Sequence, residues 1–357
     1  GGVGSFRLGG SWVVSPGLQL RAQFANAQRA PGMVELYSAP RGDYDSVSDP
    51  CDGVTLASGG IVAGNCRADD RIAAMIAQNG VFTQSVSSVY APNSGNPDLT
   101  EEDSRSWNLG FVFTPRQRPG FSLVLDAYDI RVEGVIASLA SQSLLQECYG
   151  AATQLAANTF CDSIERSDSG QLSAMLNQTD NLHALRSSGV DVRLRDGWRV
   201  GDGWLRGDWK AQLLYAYSHR LQQEFARSDG SVQINHWRGE VGAPAHRWTG
   251  SLSWEADAWQ VQWRVRYEGA SLDSHDRAAL DDAAAQLFLA VDPWLQHDVS
   301  ARIELRDGWR LFGGVNNIFH DYGPFLPSGT QSGDRRNFNP AYDVVGRSVY
   351  LGLRRNW

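Results

Sequence analysis

The sequence predicts an all-β protein: an antiparallel up-and-down β-barrel that crosses a membrane, with about eleven strands visible. Three observations predict this fold. Polar and apolar residues alternate along many segments of about ten residues, as in strands with two different faces. Aromatic residues stand near the ends of these segments. The connections alternate between tight turns and long polar loops, as in barrels with turns on one side of a membrane and loops on the other.

The clearest hairpin spans residues 246–269. Its second arm carries an apolar set, Trp259, Val261, Trp263, Val265 and Tyr267, which alternates with a polar set, Gln260, Gln262, Arg264, Arg266 and Glu268. A soluble β-sandwich shows similar alternation, with its apolar face inward. Each arm, however, has about ten residues, which is what a tilted strand needs to cross a bilayer. Trp254 and Trp259 also flank the turn as interfacial aromatics do, so we expect the apolar face to meet lipid.

Nine further segments continue this pattern. They are residues 6–14, 18–24, 107–113, 121–127, 190–194, 205–217, 299–305, 309–315 and 349–357. In the segment that starts at Phe121, the apolar residues change parity after Ala127, since Tyr128, Ile130 and Val132 occupy the other positions. This change of parity predicts a β-bulge near Ala127.

Five long polar segments connect the predicted strands: 26–105, 133–186, 222–245, 270–293 and 319–342. We expect a short helix at 70–78, and residues 135–158 are compatible with a helix. An open sheet in lipid would leave unpaired backbone groups along two edges, each at a cost of several kcal/mol. The strands must therefore close on themselves or pair with further strands, and their odd number favours the second alternative.

Composition excludes several classes of protein. The 357 residues contain no run of eighteen apolar residues, which excludes a transmembrane helix, and the net charge of −8 gives no reason to expect a nucleic-acid partner. The four cysteines form two close pairs within long polar segments, and four cysteines allow three connectivities. We favour Cys51 with Cys66 and Cys148 with Cys161, which close short loops and suit an oxidising compartment. Free thiols are the alternative.

Three short stretches resemble sequence boxes of the TonB-dependent receptors of the Gram-negative outer membrane. Residues 28–31 (QRAP), followed by ELY at 35–37, resemble the family's FRAP box, although Gln28 stands where the family usually has Phe. Residues 96–99 (NPDL) resemble its NPNL box. Residues 314–319 (GVNNIF) and 346–353 (GRSVYLGL) are similar to its closing strands, which end here at Trp357 instead of the usual Phe.

The resemblance implies that residues 1–357 are the C-terminal portion of one 22-stranded barrel domain, with no plug domain in this chain. It implies an outer-membrane receptor or transporter, not an enzyme, which binds a nutrient such as a siderophore or an oligosaccharide through long loops. Its partners would be outer-membrane lipid and, through a plug, TonB. Haem receptors of the family carry a histidine between the first two boxes, and none lies between Arg29 and Leu99, so haem is disfavoured. A passive porin, an adhesive barrel and a soluble all-β domain are the alternatives.

The residues expected to contact a ligand lie in the first box or on the polar parity near the long loops. They are Arg29, Tyr37, Asp191, Arg220, Arg247, Arg266 and Glu268. For any one of them taken singly, a hydrated ion pair on the barrel wall is the favoured interpretation. Asp43, Asp45, Asp49 and Asp52 form an acidic cluster whose spacing fits no calcium loop. His275 and His320 each precede an aspartate without identifiable partners, and we expect no cofactor, no metal site and no catalytic residue.

Overall fold

A computed structural model describes residues 4–152, 155–227, 229–273, 289–324, 326, 342–343 and 345–355. The strands, in chain order, are β1 (Phe6–Ser15), β2 (Leu18–Arg29), β3 (Tyr44–Ser46), β4 (Ser88–Tyr90), β5 (Asn93–Ser94), β6 (Glu102–Phe113), β7 (Ser122–Ser138), β8 (Ile164–Arg166), β9 (Leu172–Met175), β10 (Asn177–Val200), β11 (Gly207–Ala226), β12 (Val232–His236), β13 (His246–Ala256), β14 (Trp259–Glu268), β15 (Ser271–Leu272), β16 (Ala290–Val291), β17 (Trp294–Glu304), β18 (Trp309–Asn316) and β19 (Ser348–Arg355). The α-helices are α1 (Met33–Tyr37), α2 (Gly60–Ala68), α3 (Asp70–Asn79) and α4 (Ser141–Gly150).

Eleven long strands form one antiparallel sheet in chain order, which confirms the predicted up-and-down topology. The order is β1-β2-β6-β7-β10-β11-β13-β14-β17-β18-β19, and the short strands β5 and β12 add to β10 and β11 to give thirteen strands in all. Among the described residues, β1 pairs only with β2 and β19 only with β18, so the sheet has two open edges. Among the helices that the structure describes, none has the length and apolarity to cross a membrane.

The register of the sheet separates an apolar face from a polar face, as the hairpin 246–269 predicts. Trp248 lies opposite Tyr267 and Trp254 opposite Val261, whereas Arg247 lies opposite Glu268. The apolar face exposes large side chains to the surroundings: Leu8 is 72% exposed and Leu109 is 58% exposed. Residues exposed in this way need an apolar environment outside the protein.

Three neighbouring strands are much longer than a membrane crossing requires. β7 has 17 residues, β10 has 24 and β11 has 20, compared with the roughly ten that cross a bilayer. The pairing of β7 with β6 and with β10 runs through Ala127 without a shift of register, so the prediction of a bulge there was wrong. Instead the two faces exchange polarity along a regular strand: Asp129 and Arg131 continue the apolar face, and Tyr128 and Ile130 continue the polar face.

The first two long loops fold into a compact unit with its own core. We call residues 30–101, 139–152 and 155–176 the loop cap. Its buried side chains come from both loops and include Phe82, Ile72 and Ile76 from the first loop and Leu145 and Met175 from the second. The helix predicted at 70–78 is confirmed as α3. The region 135–158 is only partly helical, because β7 runs to Ser138 before α4 begins at Ser141.

Candidate ligand-binding site

A row of charged residues crosses the polar face of the sheet at one level. In register, from β2 to β14, it consists of Arg21, Gly110, Asp126, Asp191, Ala216, Arg247 and Glu268. Arg21 reaches across the intervening strand and lies 2.6 Å from each carboxylate oxygen of Asp126. A Cβ atom at Gly110 would overlap the Arg21 side chain, so this ion pair requires glycine between its partners.

A groove of about 290 Å³ lies along this row, and Asp126, Asp191, Arg193 and Arg247 supply its charged lining. Asp126 and Arg247 are already paired, with Arg21 and Glu268 respectively. Asp191 and Arg193 project from the same face of β10 and form no ion pair among the described residues. The groove therefore presents a carboxylate and a guanidinium that are not joined in an ion pair, and these can bind polar groups of either charge.

Two ion pairs lie on the polar face at the loop end of the next strands. Arg247 Nε lies 2.8 Å from Glu268, and Arg247 also donates to the backbone oxygen of Gly242 at 3.0 Å. Arg266 lies 3.7 Å from Asp298. Three predicted ligand residues, Arg247, Arg266 and Glu268, therefore have partners within the wall. A ligand that contacts them would meet partly neutralised charges.

Arg29 joins three segments at the base of the loop cap. Its guanidinium lies 2.9 Å from Glu35 of α1 and 2.6 Å from Glu102 at the start of β6. The Glu35 carboxylate also accepts from the backbone N–H of Gly32 at 2.7 Å and so caps its own helix. The hydrogen bond from Arg29, followed by the one from Gly32, lowers the pKa of Glu35. At the other end of α1, Tyr37 is 63% exposed beside this junction.

The loop cap is cross-linked in three ways. The disulfides Cys51–Cys66 and Cys148–Cys161 both form, which confirms the predicted pairing. The third link joins the two loops: Arg166 binds both carboxylate oxygens of Asp49, at 2.6 and 3.0 Å, and each side chain is 1% exposed. Arg166 Nε also donates to the Tyr149 hydroxyl at 2.8 Å. Burial raises the pKa of that hydroxyl to about 12.

The loop cap lies over the extended part of the polar face. Phe160 of the cap is 6.0 Å from Phe225 of β11, measured between ring centroids, and Arg227 lies 3.0 Å from Glu147 of α4. Phe225 is paired with His183 of β10, and His183 shares its face with Asp191 by alternation along the strand. The cap contact and the groove therefore lie on the same face of the sheet, with His183 eight residues further toward the loop end of β10 than Asp191.

This combination of wall and cap matches a known family. The model described as "TonB dependent receptor-like, beta-barrel" matches residues 1–318. The chain belongs to the TonB-dependent receptor family. Members of this family are outer-membrane transporters of Gram-negative bacteria and not enzymes. Comparison with curated proteins gives no match.

Solved structures of TonB-dependent receptors share the fold at low sequence identity. The ferric enterobactin receptor PfeA of Pseudomonas aeruginosa is 17% identical with a TM-score of 0.55, and the match covers 98% of this chain and 40% of that chain. The siderophore receptor PirA of Acinetobacter baumannii is 13% identical, with a TM-score of 0.54 and coverage of 98% and 40%. The FrpB iron transporter of Neisseria meningitidis is 14% identical, with a TM-score of 0.51 and coverage of 98% and 38%. The chain thus spans about two fifths of the length of these receptors.

The first two of the boxes that resemble those of TonB-dependent receptors meet in space. The backbone N–H of Asn96 donates to the carbonyl oxygen of Glu35 at 2.8 Å, which joins the second box to the first. In the third box, Asn317 is fully buried with a positive φ of 52°, and its backbone N–H donates to Asp298 at 2.9 Å. Asparagine tolerates this backbone conformation, so the residue ends β18 and fixes the following turn. Trp357 and His275 lie outside the described residues.

Arg220 occupies a different position from the other predicted ligand residues. The pairing of β10 with β11 shifts between Ser188 and Gly189, which leaves His219 as an extra residue in β11. Arg220 lies opposite Ser188, one residue away from the Gly189 position on the polar face, and therefore projects from the opposite face of the sheet.

The sequence did not predict Asp126, Arg193 or Arg166 as site residues. It also did not predict the pairing of Asp126 with Arg21 or of Arg166 with Asp49. The acidic cluster is also dispersed: Asp49 binds Arg166, Asp45 accepts from Ser141, and Asp52 accepts from the backbone of Gln84. Within the described ranges, no group of three or more His, Cys, Asp or Glu side chains is placed to hold a metal ion. Alternation along a strand reveals which face a residue shares, but not which charge on a neighbouring strand will neutralise it.

Proposed function

We propose that this protein captures a small iron chelate, a siderophore, at the surface of a Gram-negative cell and imports it with energy supplied through TonB. The polar groove beneath a cross-linked loop cap is the observation that carries the proposal, since it provides a wet, charged chamber behind an apolar exterior. The similar solved structures include receptors for ferric enterobactin and other siderophores, which makes an iron chelate the preferred ligand over an oligosaccharide.

Within this proposal, the ligand meets the cap base at Arg29 and Tyr37 first and the wall at Asp191 and Arg193 later on its path, because Arg29 lies eight residues along β2 from Arg21 at the level of the groove. A charge-assisted hydrogen bond is worth about 1.5–3 kcal/mol, so Arg193→Gln should weaken siderophore binding about tenfold to a hundredfold. Arg195→Gln is the matched control, because Arg195 lies on the same face of β10 outside the groove lining. Titration of the two purified variants with ferric siderophores measures both affinities. Equal affinities would contradict a role for the groove in ligand binding.

Uptake by cells tests the transport step. Cells that carry the full native polypeptide should accumulate radioactive iron from its siderophore, and deletion of the TonB gene should abolish this accumulation. Uptake that persists without TonB would identify a passive porin instead. Binding to a surface without any uptake would identify an adhesive barrel.

Solubility tests the orientation of the two faces. Side chains such as Leu109 and Trp107 are exposed on the apolar face, so the purified protein should partition into detergent micelles and precipitate from buffer alone. A monodisperse protein in detergent-free buffer would favour a soluble all-β domain.

A further inference from the structure

The apolar face of the sheet becomes basic directly beyond its outermost aromatic residues. Phe24 and Trp107 lie with ring centroids 4.6 Å apart at the outer end of the apolar face. One step further along the strands, Arg105, Arg131 and Arg186 occupy directly opposite positions on β6, β7 and β10. Neighbouring strands are only about 4.8 Å apart, and like charges opposite one another destabilise a sheet. The three arginines therefore repel one another, and a bound anion would reduce this repulsion.

Two more arginines lie on this face near the bulge in β11, and Arg220 lies at the level of Trp107, one step inward from the row of three. Arg220 projects from this face because His219 adds a residue to the strand. Arg238 lies over the ring of Tyr217, at 5.8 Å from the centroid, and donates from Nε to the carbonyl oxygen of Ser218 at 2.7 Å. Tyr217 stacks on His246 at 5.1 Å and lies one step inward from the level of Trp107. We call Arg105, Arg131, Arg186, Arg220 and Arg238 the basic belt.

Nearby carboxylates neutralise only part of the basic belt. Arg131 pairs with Glu133 at 2.9 Å and Arg186 pairs with Glu224 at 2.7 Å. Glu133 lies two residues beyond Arg131 on β7, and Glu224 lies one step outward from the level of Arg186. Both carboxylates are therefore further from the aromatic line than the arginines with which they pair. Asp103, also in that outer row, accepts from Gln28.

Asp129 lies at the level of Arg220 but forms no ion pair in the described part of the chain. Arg105, Arg220 and Arg238 also have no carboxylate partner among the described residues. Three guanidinium groups without a carboxylate partner among the described residues thus lie near the outer end of the apolar face.

We propose that the basic belt binds the phosphate groups of lipid headgroups in the outer leaflet of the membrane. This inference rests on the proposed function, because it requires the apolar face to lie in lipid. The aromatic line then lies at the interface, and the basic belt lies at the depth of the headgroup phosphates. Arginine forks match phosphate oxygens in geometry and charge, and a phosphate between opposed arginines removes their mutual repulsion.

The test measures lipid preference after reconstitution of the full native polypeptide. Tryptophans near the interface, such as Trp107, report bound lipid through quenching by brominated chains. The measured quantity is the association of brominated bisphosphorylated lipid A relative to brominated phosphatidylcholine. Each exposed arginine near a charged membrane surface strengthens binding to anionic lipid by about fivefold. Loss of three arginines should therefore reduce the preference for lipid A over phosphatidylcholine by roughly a hundredfold. The test variant combines Arg105→Gln, Arg220→Gln and Arg238→Gln.

The control variant removes the same charge from the polar face. It combines Arg195→Gln, Arg264→Gln and Arg302→Gln, which lie on that face and form no ion pair among the described residues. The control should keep the preference of the native protein. Added inorganic phosphate should leave the preference largely intact, whereas complete competition by free phosphate would show a site for the free ion and overturn the lipid assignment.

The outcomes separate the inference from the function on which it rests. A protein that inserts into phosphatidylcholine bilayers, resists protease there and shows no preference for lipid A would overturn the inference alone. Equal losses in the test and control variants would also overturn it, because they would show an effect of net charge. A protein that fails to insert into any bilayer would instead overturn the proposed function.

Discussion

At the scale of single residues, Arg166 shows how one buried charge joins parts of the chain that are remote in sequence. It lies 117 residues from its partner Asp49, and the pair connects the two loops of the cap. Burial lowers the pKa of Arg166, but the hydrogen bonds that it donates to Asp49 and the charges of its neighbours outweigh burial and raise the pKa overall. The guanidinium therefore stays charged, and its partners are part of the structure of the cap.

Removing one partner of this pair should destabilise the loop cap. Asp49→Asn leaves a buried guanidinium without its counter-charge, and breaking such a pair costs about 3–5 kcal/mol. Faster hydrogen exchange in α3 and α4 would measure the loss. Arg199→Gln, which breaks the exposed pair with Asp208 at a turn of the sheet, is the control and should leave the cap unchanged. Unchanged exchange in the Asp49 variant would show that the disulfides alone hold the cap.

Glu35 gives the base of the cap a dependence on pH. Its pKa in the folded protein is below the ordinary value of 4.5, so the stabilisation that it contributes is complete above that ordinary value. It is lost as the pH falls through the folded pKa. Protease cleavage around α1 should therefore increase in acid below pH 4.5 and not between pH 6 and 8. Glu35→Gln should cleave readily at neutral pH, whereas Glu101→Gln, at an exposed neighbouring carboxyl, should behave like the native protein.

At the scale of elements, the sequence predicts strands well where one face is uniform and predicts loops poorly. The hairpin of β13 and β14 has the expected bounds and faces, because each arm has one wholly apolar set. The sequence did not predict the outer extensions of β7, β10 and β11. In these extensions the cap covers one face and water meets the other, so the polar and apolar residues exchange faces relative to the membrane-facing part of each strand. Alternation continues there, but with the opposite phase, which resembles a bulge in the sequence.

The loop cap could not be predicted for a different reason. Its core combines short segments from two loops, such as Phe82 with Leu172, and no single segment has a pattern long enough to show its buried face. The disulfide pairs were predictable from cysteine spacing alone, and so was α3 from its period. Among the site residues, the faces of Asp191 and Glu268 follow from alternation, but the outward position of Arg220 follows from a bulge that the sequence did not indicate.

The two faces of β14 should differ in their tolerance of a charge. Val261 lies on the apolar face and Gln260 on the polar face. An arginine on the lipid face costs about 2–4 kcal/mol at mid-membrane and about 0–1 kcal/mol at the interface. Val261 lies one step inward from the interfacial Trp259, so Val261→Arg should lower the free energy of unfolding by about 1–2 kcal/mol, and Gln260→Arg should be nearly neutral. Reversible unfolding by denaturant in the presence of lipid vesicles measures both changes. Similar losses for the two variants would reject the assignment of the faces.

At the scale of the whole molecule, the protein consists of two parts that are stabilised differently. The wall depends on backbone pairing between eleven strands and on an apolar environment outside them. The loop cap depends on its own core, the Asp49–Arg166 pair and two disulfides. Under the proposed function, a ligand from outside would meet the cap before it reaches the groove, so a cap that opens without disturbing the wall suits the proposed transport.

Reduction of the disulfides should therefore loosen the cap and leave the wall intact. A disulfide that closes a loop of about 15 residues contributes about 3 kcal/mol, which corresponds to roughly a hundredfold change in local opening. With a reductant in detergent, hydrogen exchange should accelerate in α2, α3 and α4 and stay constant in β13 and β14. A variant with serine at all four cysteine positions should already exchange at the faster rate, and reductant should change it no further. If the strands exchange faster together with the helices, cap and wall form one cooperative unit, and independent opening of the cap is excluded.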